Sequence, residues 1–440
     1  MKRMSGAAFD AYWQALSKGR EDGGLMATVQ DIISQVRRDG DRAVWRFTRQ
    51  FDQGSPETLE VPPKLVQEAG EQFKQAEPEL VAALETAAEH IRDFAGCQKA
   101  QFVNFEYALA PGLFTGQRVI PVQRAAVYVP AGRFPLISTV LMGVIPALVA
   151  GVAEVMVSSP PLATGLPDRR IMAAAHLAGV RRVFAMGGAQ AIAALAIGTE
   201  TVPRADVIVG PGNKYVAAAK RLLFGEVGID LVAGPTDVLI IAEDQADLIA
   251  ADMLAQAEHD PEARARALVP SPVLADQVLQ RLEARLFGLP TAAIAKASLD
   301  AGGLMIIYQS KEEAIRIANA IAPEHLELHV AEPEAWVPHL NNYGSLFMGK
   351  GAVEALGDYA AGINHTLPTS GSARFTGGLS VRHFLKTLTT LRCTPGPGYD
   401  QACEAAERIA RAEGLMAHAE SVLSRGAGNA PCGEAEVSIV

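Results

Sequence analysis

The sequence predicts a mixed α/β protein with two doubly wound domains, each built on a parallel-type sheet, and small helical segments at both ends. Three observations point to this class. The chain has 440 residues, more than one simple core usually organises. From about Arg124, short apolar runs of strand length alternate with Ala-rich runs of helical length. The alternation recurs after about Pro235, and this βαβ rhythm is typical of parallel sheets covered by helices on both faces.

The elements follow in order along the chain. Residues 1–90 carry apolar residues at helical spacing and are expected to be helical. The first block of strands is AAVYVP, EVMVSS, RVFAMG and DVIVG, and the second is TDVLIIAE, RALVP, GLMIIYQS, HLELHV and YGSLFMG. Residues 134–153 are uncharged, but their Pro and Gly residues favour a buried helix over a membrane span. After Lys386 we expect helix again, and from GAGNAPCGEAEV onward a disordered tail.

Composition excludes several classes of function. The chain is 49% hydrophobic and 20% charged, which is typical of a soluble globular protein. Its net charge of −10, without a cluster of Lys and Arg, argues against nucleic acid or an anionic membrane as the main partner. The four cysteines suit neither a zinc ribbon nor a redox pair, and the N-terminus lacks the apolar core of a signal peptide. These features predict a cytoplasmic protein.

Two glycine-rich turns follow predicted strands and open predicted helices, GGAQ at residues 187–190 and GPGN at residues 210–213. Free backbone N–H groups at a helix N-terminus suit a phosphate or the polar edge of a cofactor. Neither turn has the dinucleotide-binding fingerprint G-x-G-x-x-G, since Tyr215 stands at the third glycine. Tight turns of an α/β sheet are the more common cause of this pattern, so the turns alone are weak evidence for a cofactor, although a dinucleotide could still bind without the fingerprint.

Four of the nine histidines have neighbours that could take part in chemistry. They are His259, three residues after Gln256, His325, directly after Glu324, His365, seven residues after Asp358, and His418, five residues after Glu413. Residues three apart on a helix share a face, which would pair Gln256 with His259. An adjacent Glu–His pair can supply a base and activate water, and a mixed N/O set suits Zn²⁺. Each group alone is also explained as a helix end, a strand start or a turn, and spacing does not bring them together.

Five segments in this order resemble the histidinol dehydrogenase family, and the resemblance runs from about residue 25 to 425. They are VGPGNKYVAAAKRLLFGEVGIDLVAGPTDVLIIA, AQAEHD, APEHLEL, GDYAAGINHTLPTSGSAR and EGLMAH. The resemblance implies a zinc-dependent enzyme with one zinc ion per subunit. It implies two successive NAD-linked oxidations of a small amino alcohol, through the aldehyde to the carboxylate, as the last steps of histidine biosynthesis. It also implies a homodimer whose C-terminal helices reach into the partner's site.

The resemblance also implies a role for each matching position. Glu324 and His325 match the catalytic pair, in which His325 takes the alcohol proton and Glu324 helps deprotonate a water. The zinc ligands are Gln256, His259, Asp358 and His418, and the NAD contacts are Tyr128, Gln190 and Asn213. The substrate contacts are Thr236, Gln256, His259, His325, Asp358, His365, Glu413 and His418. Glu354 and Glu413 would place negative charge near the substrate ammonium, and Glu413 and His418 would come from the partner chain.

The same resemblance divides the chain into domains. An N-terminal helical arm is expected at residues 1–25, and a first α/β domain, with most zinc and catalytic residues, at 26–123 and 234–380. The NAD-binding α/β domain is expected at 124–233, and a helical dimerisation segment with a disordered tail at 381–440.

The sequence departs from the family in places. The family usually reads Ala-Gly-Pro-Ser-Glu where this chain has AGPTD, ending in Thr236 and Asp237, and Arg133 and Phe134 stand where smaller residues are common. The segment GKGAVEALGD also lacks the usual Pro before its Glu. Paralogues that oxidise other alcohols, such as a sulfopropanediol 3-dehydrogenase, show comparable changes. Their anionic substrate would require a cation such as Arg133 or Lys350.

A two-lobed ligand-binding protein or a metal hydrolase is the alternative of another class. Neither needs Gln190 and Asn213 in paired glycine turns. The complete zinc set, the Glu–His pair and Glu413 favour histidinol as the substrate.

Overall fold

The computed structural model describes residues 1–16, 23–131 and 135–425. The predicted disordered tail, together with Arg133 and Phe134, lies outside the described residues. The chain forms two compact units. The first unit comprises Met1–Lys99 and Val122–Phe384, and the second comprises Ala100–Pro121 and the described residues from Leu385 onward.

The first unit holds two sheets whose strands all run parallel. The six-stranded sheet has the order β1-β11-β10-β9-β12-β13, with β1 Lys2–Ser5, β9 Asp237–Ala242, β10 Arg264–Val269, β11 Leu304–Ile307, β12 His325–His329 and β13 Ser345–Met348. The five-stranded sheet has the order β6-β5-β4-β7-β8, with β4 Arg124–Tyr128, β5 Glu154–Ser159, β6 Arg182–Ala185, β7 Val207–Val209 and β8 Gly228–Ile229. The predicted α/β class with parallel sheets is therefore confirmed.

Helices cover these sheets. Those of the first unit are α1 Gly6–Leu16, α2 Gly23–Asp39, α3 Asp41–Phe51, α4 Pro63–Ala76, α5 Pro78–Lys99, α6 Ile137–Ala150, α7 Arg169–Leu177, α8 Gly188–Ile197, α9 Lys214–Leu223, α10 Ala246–Ala257, α11 Pro272–Leu286, α12 Ala292–Gly302, α13 Lys311–Ile321 and α14 Glu354–Tyr359. Along β9, Val238 and Ile240 pack with α10, whereas Leu239 and Ile241 pack with α13. Alternate residues thus enter two cores, one on each face of the sheet.

The second unit is an antiparallel sheet followed by two helices. The sheet has the order β14-β3-β2, with β2 Phe105–Ala110, β3 Leu113–Pro121 and β14 Leu385–Cys393, and the helices are α15 Pro397–Ala412 and α16 Met416–Leu423. The expectation of helix directly after Lys386 is therefore wrong, because residues 385–393 pair with β3. The all-helical interpretation of residues 1–90 also missed β1, whose four residues pair with β11 at the sheet edge. The predicted division into domains stays a prediction.

Within the predicted uncharged stretch, α6 at Ile137–Ala150 forms the buried helix that the composition predicted. Ten of the fourteen residues of α6 are buried. Among the described residues, none of the helices combines the length and the apolar character that crossing a membrane requires.

Candidate active site

Strand β12 presents polar side chains on one face only. Leu326 and Leu328 pack in the core with α13. Because successive strand residues point to opposite faces, His325, Glu327 and His329 lie on the face that α10 covers. None of the five residues is more than 3% exposed. The alternating run HLELH therefore places a row of buried polar groups against one helix.

Glu324, directly before β12, is held by the residues that begin β9. Its Oε2 accepts hydrogen bonds from the Thr236 hydroxyl at 2.5 Å and from the backbone N–H of Asp237 at 3.0 Å. In return, the backbone N–H of Glu324 donates to Oδ1 of Asp237 at 2.6 Å. The second carboxylate oxygen of Asp237 accepts from Nη1 of Arg266, on β10, at 3.1 Å. A buried arginine thus supports the segment that orients Glu324.

The imidazole of His325 has one nitrogen fixed and one free. Nδ1 lies 3.2 Å from the carbonyl oxygen of Asp237, and because a carbonyl only accepts, Nδ1 carries the proton of the neutral ring. Nε2 is buried, has no hydrogen-bond partner among the described residues, and lies 3.6 Å from Oδ1 of Asp358. In the neutral form of the ring, the free lone pair is therefore at Nε2.

Three carboxylates set the electrostatics around this ring. Burial raises the pKa of Glu324 to about 7. Burial alone would lower the pKa of His325, but the charges on Glu354, Glu324 and Asp358 raise it well above its ordinary value. Burial also raises the pKa of Glu354, whose Oε1 lies 3.7 Å from Nδ1 of His325. Groups with such shifted pKa values are typical of sites that exchange protons.

Next to His325, donor atoms of His259, Glu354 and Asp358 all lie within 4.8 Å of one another. The Gln256 amide adjoins them. If the amide oxygen of Gln256 points toward Glu354, that oxygen faces only carboxylate oxygens. If the amide is flipped, its nitrogen donates to both Glu354 oxygens at 2.8 and 3.0 Å. Oxygen donors that converge in this way beside an imidazole match the chemistry of a divalent-cation site. The residues present therefore fit a zinc ion.

The geometry of the Gln–His pair differs from the expectation. Helix α10 ends at Ala257, so Gln256 lies in its last turn and His259 lies two residues beyond it. The prediction that both residues share a helix face is therefore wrong. A turn follows the helix instead, in which the His259 N–H contacts the Gln256 carbonyl oxygen at 3.4 Å, and His259 is exposed.

His365 is a neutral ring with both nitrogens engaged. Nδ1 lies 3.0 Å from the carbonyl oxygen of Asp358 and therefore donates to it. Nε2 lies 3.2 Å from the Thr139 hydroxyl, which donates in turn. Burial lowers the pKa of His365, in agreement with the neutral form. Thr139 belongs to α6, the helix that follows strand β4 of the five-stranded sheet. This helix therefore contacts His365, in the loop after Asp358.

The first glycine turn lies between β6 and α8. The backbone N–H of Gly188, which has φ of 64°, donates to the Tyr128 hydroxyl at 3.1 Å. A carboxylate oxygen of Asp52 accepts from Gly187 N–H at 3.3 Å and lies 3.5 Å from Nε2 of Gln190. Burial raises the pKa of Asp52 to about 6. Two of the three predicted NAD contacts therefore meet at one turn.

The second glycine turn lies between β7 and α9. Asn213 is the N-cap of α9, and its Oδ1 accepts from two backbone N–H groups at 3.0 and 3.2 Å. Gly210 is clamped by a buried ion pair, because its carbonyl accepts from Lys220 Nζ at 2.9 Å and its N–H donates to Asp230 at 2.7 Å. Lys220 and Asp230 also bond to each other directly. The turn is thus rigidly built.

The remaining predicted site residues belong to the second unit. Glu413 caps the end of α15, and His418 lies on α16. Both are exposed, and both line a cavity of about 690 Å³ formed by these two helices. The rest of its lining is mainly apolar.

Sequence reasoning missed several residues that support these groups. They are Asp52, Lys220, Asp230, Arg266 and Glu327. A signal was present for two of them, since Lys220 interrupts the apolar run of α9 and Glu327 lies between two leucines on a strand. No pattern marked the others.

Comparisons with known proteins assign the chain to a family. A family model described as histidinol dehydrogenase matches residues 17–426. Histidinol dehydrogenase from Prochlorococcus marinus is 45% identical over 93% of this chain and 92% of its own. That from Thermus thermophilus is 47% identical over 90% and 93%. The crystal structure of histidinol dehydrogenase from Elizabethkingia anophelis has a TM-score of 0.89 at 33% identity, covering 97% of this chain and 98% of that one. The resemblance stated from the sequence is confirmed.

Proposed function

Because the chain belongs to the histidinol dehydrogenase family, we propose that it oxidises L-histidinol through L-histidinal to L-histidine. The reaction consumes one water and two NAD⁺ and yields the carboxylate, two NADH and three protons. The family match leaves no support for the alternatives of a two-lobed binding protein or a metal hydrolase.

The observation that carries the proposal is the charge of the site. Glu324, Glu354 and Asp358 surround His325. Such a cluster favours a substrate that carries an ammonium group and an imidazole, as histidinol does. These carboxyl groups offer an anionic sulfonate no cationic partner, and Lys350, the cation expected to bind it, forms an ion pair with Asp244 at 2.6 Å.

The protein groups divide the proton transfers between them. We assign Nε2 of His325 as the base for the alcohol proton, since Nδ1 is occupied by the Asp237 carbonyl. Glu324, with a pKa near 7, is suited to take a proton from the water that adds to the aldehyde. Both bonds that orient Glu324 end on Oε2, so its position is fixed before substrate enters.

A zinc ion would be held by Gln256, His259 and Asp358, together with His418 of the partner subunit. The convergence of His259, Asp358 and the Gln256 amide beside Glu354 supports this assignment. When bound there, a zinc ion would supply a Lewis acid for the substrate hydroxyl.

Tyr128, Gln190 and Asn213 would hold NAD, which would supply the hydride acceptor for each oxidation. Tyr128 and Gln190 adjoin the turn that opens α8, and Asn213 opens α9. Helix N-termini after the carboxyl ends of parallel strands suit a pyrophosphate.

A homodimer is supported by the surface of the second unit. Its sheet exposes large apolar side chains, each between 43 and 68% accessible: Phe105, Tyr107, Leu109, Leu388 and Leu391. A small three-stranded sheet with such side chains needs a covering partner. We infer that this unit docks on a second copy and brings Glu413 and His418 to the partner's site.

The test uses purified protein with Zn²⁺, NAD⁺ and L-histidinol. We expect two NADH for each histidinol consumed, and histidine as the product. Turnover of 2,3-dihydroxypropane sulfonate but not of histidinol would reject the substrate and keep the enzyme class. No NADH with either alcohol would reject the proposed reaction.

A further inference from the structure

A second group of converging side chains lies one helical turn before Gln256. It consists of Asp252 on α10 with Glu327 and His329 on β12. Each offers one donor atom, and the three atoms lie within 4.8 Å of one another. Glu327 and His329 are at most 1% exposed, and Asp252 is 9% exposed. The group shares no residue with the proposed catalytic pair or with the proposed zinc ligands.

The separations of these atoms fit a metal ion better than hydrogen bonds. Nε2 of His329 lies 3.4 Å from Oε2 of Glu327 and 3.6 Å from Oδ2 of Asp252. Nitrogen and oxygen ligands at about 2.0–2.2 Å from a tetrahedral zinc ion lie about 3.3–3.6 Å apart. Ordinary N–H···O bonds are shorter, about 2.7–3.2 Å.

The group also has a buried polar atom without a hydrogen bond, and its two carboxyl groups share one imidazole. Oε2 of Glu327 is buried and has no hydrogen-bond partner among the described residues. Within the same part of the chain, no lysine or arginine forms an ion pair with Asp252 or Glu327. Burial, together with the Glu327 charge, raises the pKa of Asp252 to about 7. Two buried carboxyl groups that share one imidazole repel each other when both are ionised, and a bound divalent ion would offset that repulsion.

The topology places the group where α/β sheets commonly bind ligands. The chain passes from β9 to β10 on one side and later returns to β12 on the other side of β9. The connections therefore reverse direction between β9 and β12, and the crevice at such a point is a common ligand site. His329 is the last residue of β12.

We propose that Asp252, Glu327 and His329 bind a second divalent transition-metal ion, of the Zn²⁺ or Mn²⁺ class. The ion fixes Oε2 of Glu327, whose other oxygen accepts the Glu354 backbone N–H at 2.9 Å. Glu354 is the first residue of α14, the helix that also carries Asp358. The second ion therefore supports the helix that lines the first site.

The experiment counts metal ions on the full chain. Protein stripped with a chelator is titrated with Zn²⁺, and separately with Mn²⁺, and bound metal is measured by mass spectrometry after washing. We expect two Zn²⁺ per chain for the unmodified protein and one for His329→Gln and for Asp252→Asn. His259→Ala, in the first site, should bind one, and His339→Gln, an exposed control, should keep two.

A count of one ion that His259→Ala abolishes would overturn the proposal, and so would two ions in both His329→Gln and Asp252→Asn. If His329→Gln folds poorly, Asp252→Asn carries the test, with circular dichroism as the check on folding. The visible spectrum of the Co²⁺-loaded protein should also lose one component in the variants, which general destabilisation would not remove selectively. Because metal is counted and not turnover, a failure to oxidise histidinol would leave this result standing.

Discussion

Replacing Arg266 by methionine tests the buried link behind the catalytic pair. Arg266 Nη1 lies 3.1 Å from Asp237 Oδ2, and the two residues are 5 and 2% exposed. At this separation the attraction is about 5 kcal/mol for an effective dielectric constant of about 20. Removal of one partner from a buried pair typically costs about 3–5 kcal/mol, because the other charge stays buried. We expect Arg266→Met to lower the free energy of unfolding by about this amount.

The assay is urea-induced unfolding at fixed protein concentration, with Asp237→Asn and the double variant measured alongside. The double variant removes the stranded charge, so its cost should be smaller than the sum of the two single costs. Turnover should fall as well, because Oδ1 of Asp237 accepts the Glu324 N–H at 2.6 Å. A loss below about 1 kcal/mol for Arg266→Met, or additive single costs, would refute the assignment of this pair as a buried, coupled support.

Three further outcomes follow from the same geometry. His325→Ala should retain zinc and lose turnover, whereas His259→Ala should lose zinc; metal analysis showing the reverse would overturn both roles. Lys220→Met should strand Asp230, destabilise the chain by about 3–5 kcal/mol and raise the KM for NAD, as measured by unfolding and steady-state kinetics. The pKa of Asp52 rises from 3.8 to about 6 on folding, so the stability contributed by its protonated form is complete below pH 3.8 and is lost as pH rises through about 6. Asp52→Asn should remove on the order of 2 kcal/mol of this dependence, and equal unfolding midpoints across pH 4–7 for both proteins would contradict it.

The core strands were predictable because burial on both faces leaves a continuous apolar run. In β9 every residue is buried, and its sequence after Asp237 is entirely apolar. By contrast, β1 reads KRMS and β14 reads LKTLTTLRC, and most of their residues are exposed. Backbone pairing with a distant strand holds such segments, and pairing leaves no periodic apolar signal in the sequence.

The site was accessible from sequence only through the family resemblance. Glu324 and Thr236 are 88 residues apart in the sequence. The Thr236 hydroxyl nevertheless donates to the Glu324 carboxylate, because β9 and β12 are neighbouring strands. Strand order, which decides that neighbourhood, is not encoded in local spacing. One part was readable: in HLELH, the period of two places Glu327 and His329 on the face of His325. That pattern predicts a polar row, although it does not identify Asp252 as its third member.

The departure of this chain at Thr236 and Asp237 is explained by the structure without a change of substrate. The Thr236 hydroxyl donates to Glu324, a bond that a serine hydroxyl would make in the same way. Asp237 directs one oxygen to the Glu324 N–H and the other to Arg266, so its shorter side chain is matched by a buried cation on the neighbouring strand. Both residues are thus engaged in holding the catalytic glutamate. An anionic substrate would require a new cation facing His325, whereas the described groups that form ion pairs with that ring are carboxylates. The changed pair therefore alters how the catalytic glutamate is supported and leaves the charge that selects the substrate as it was.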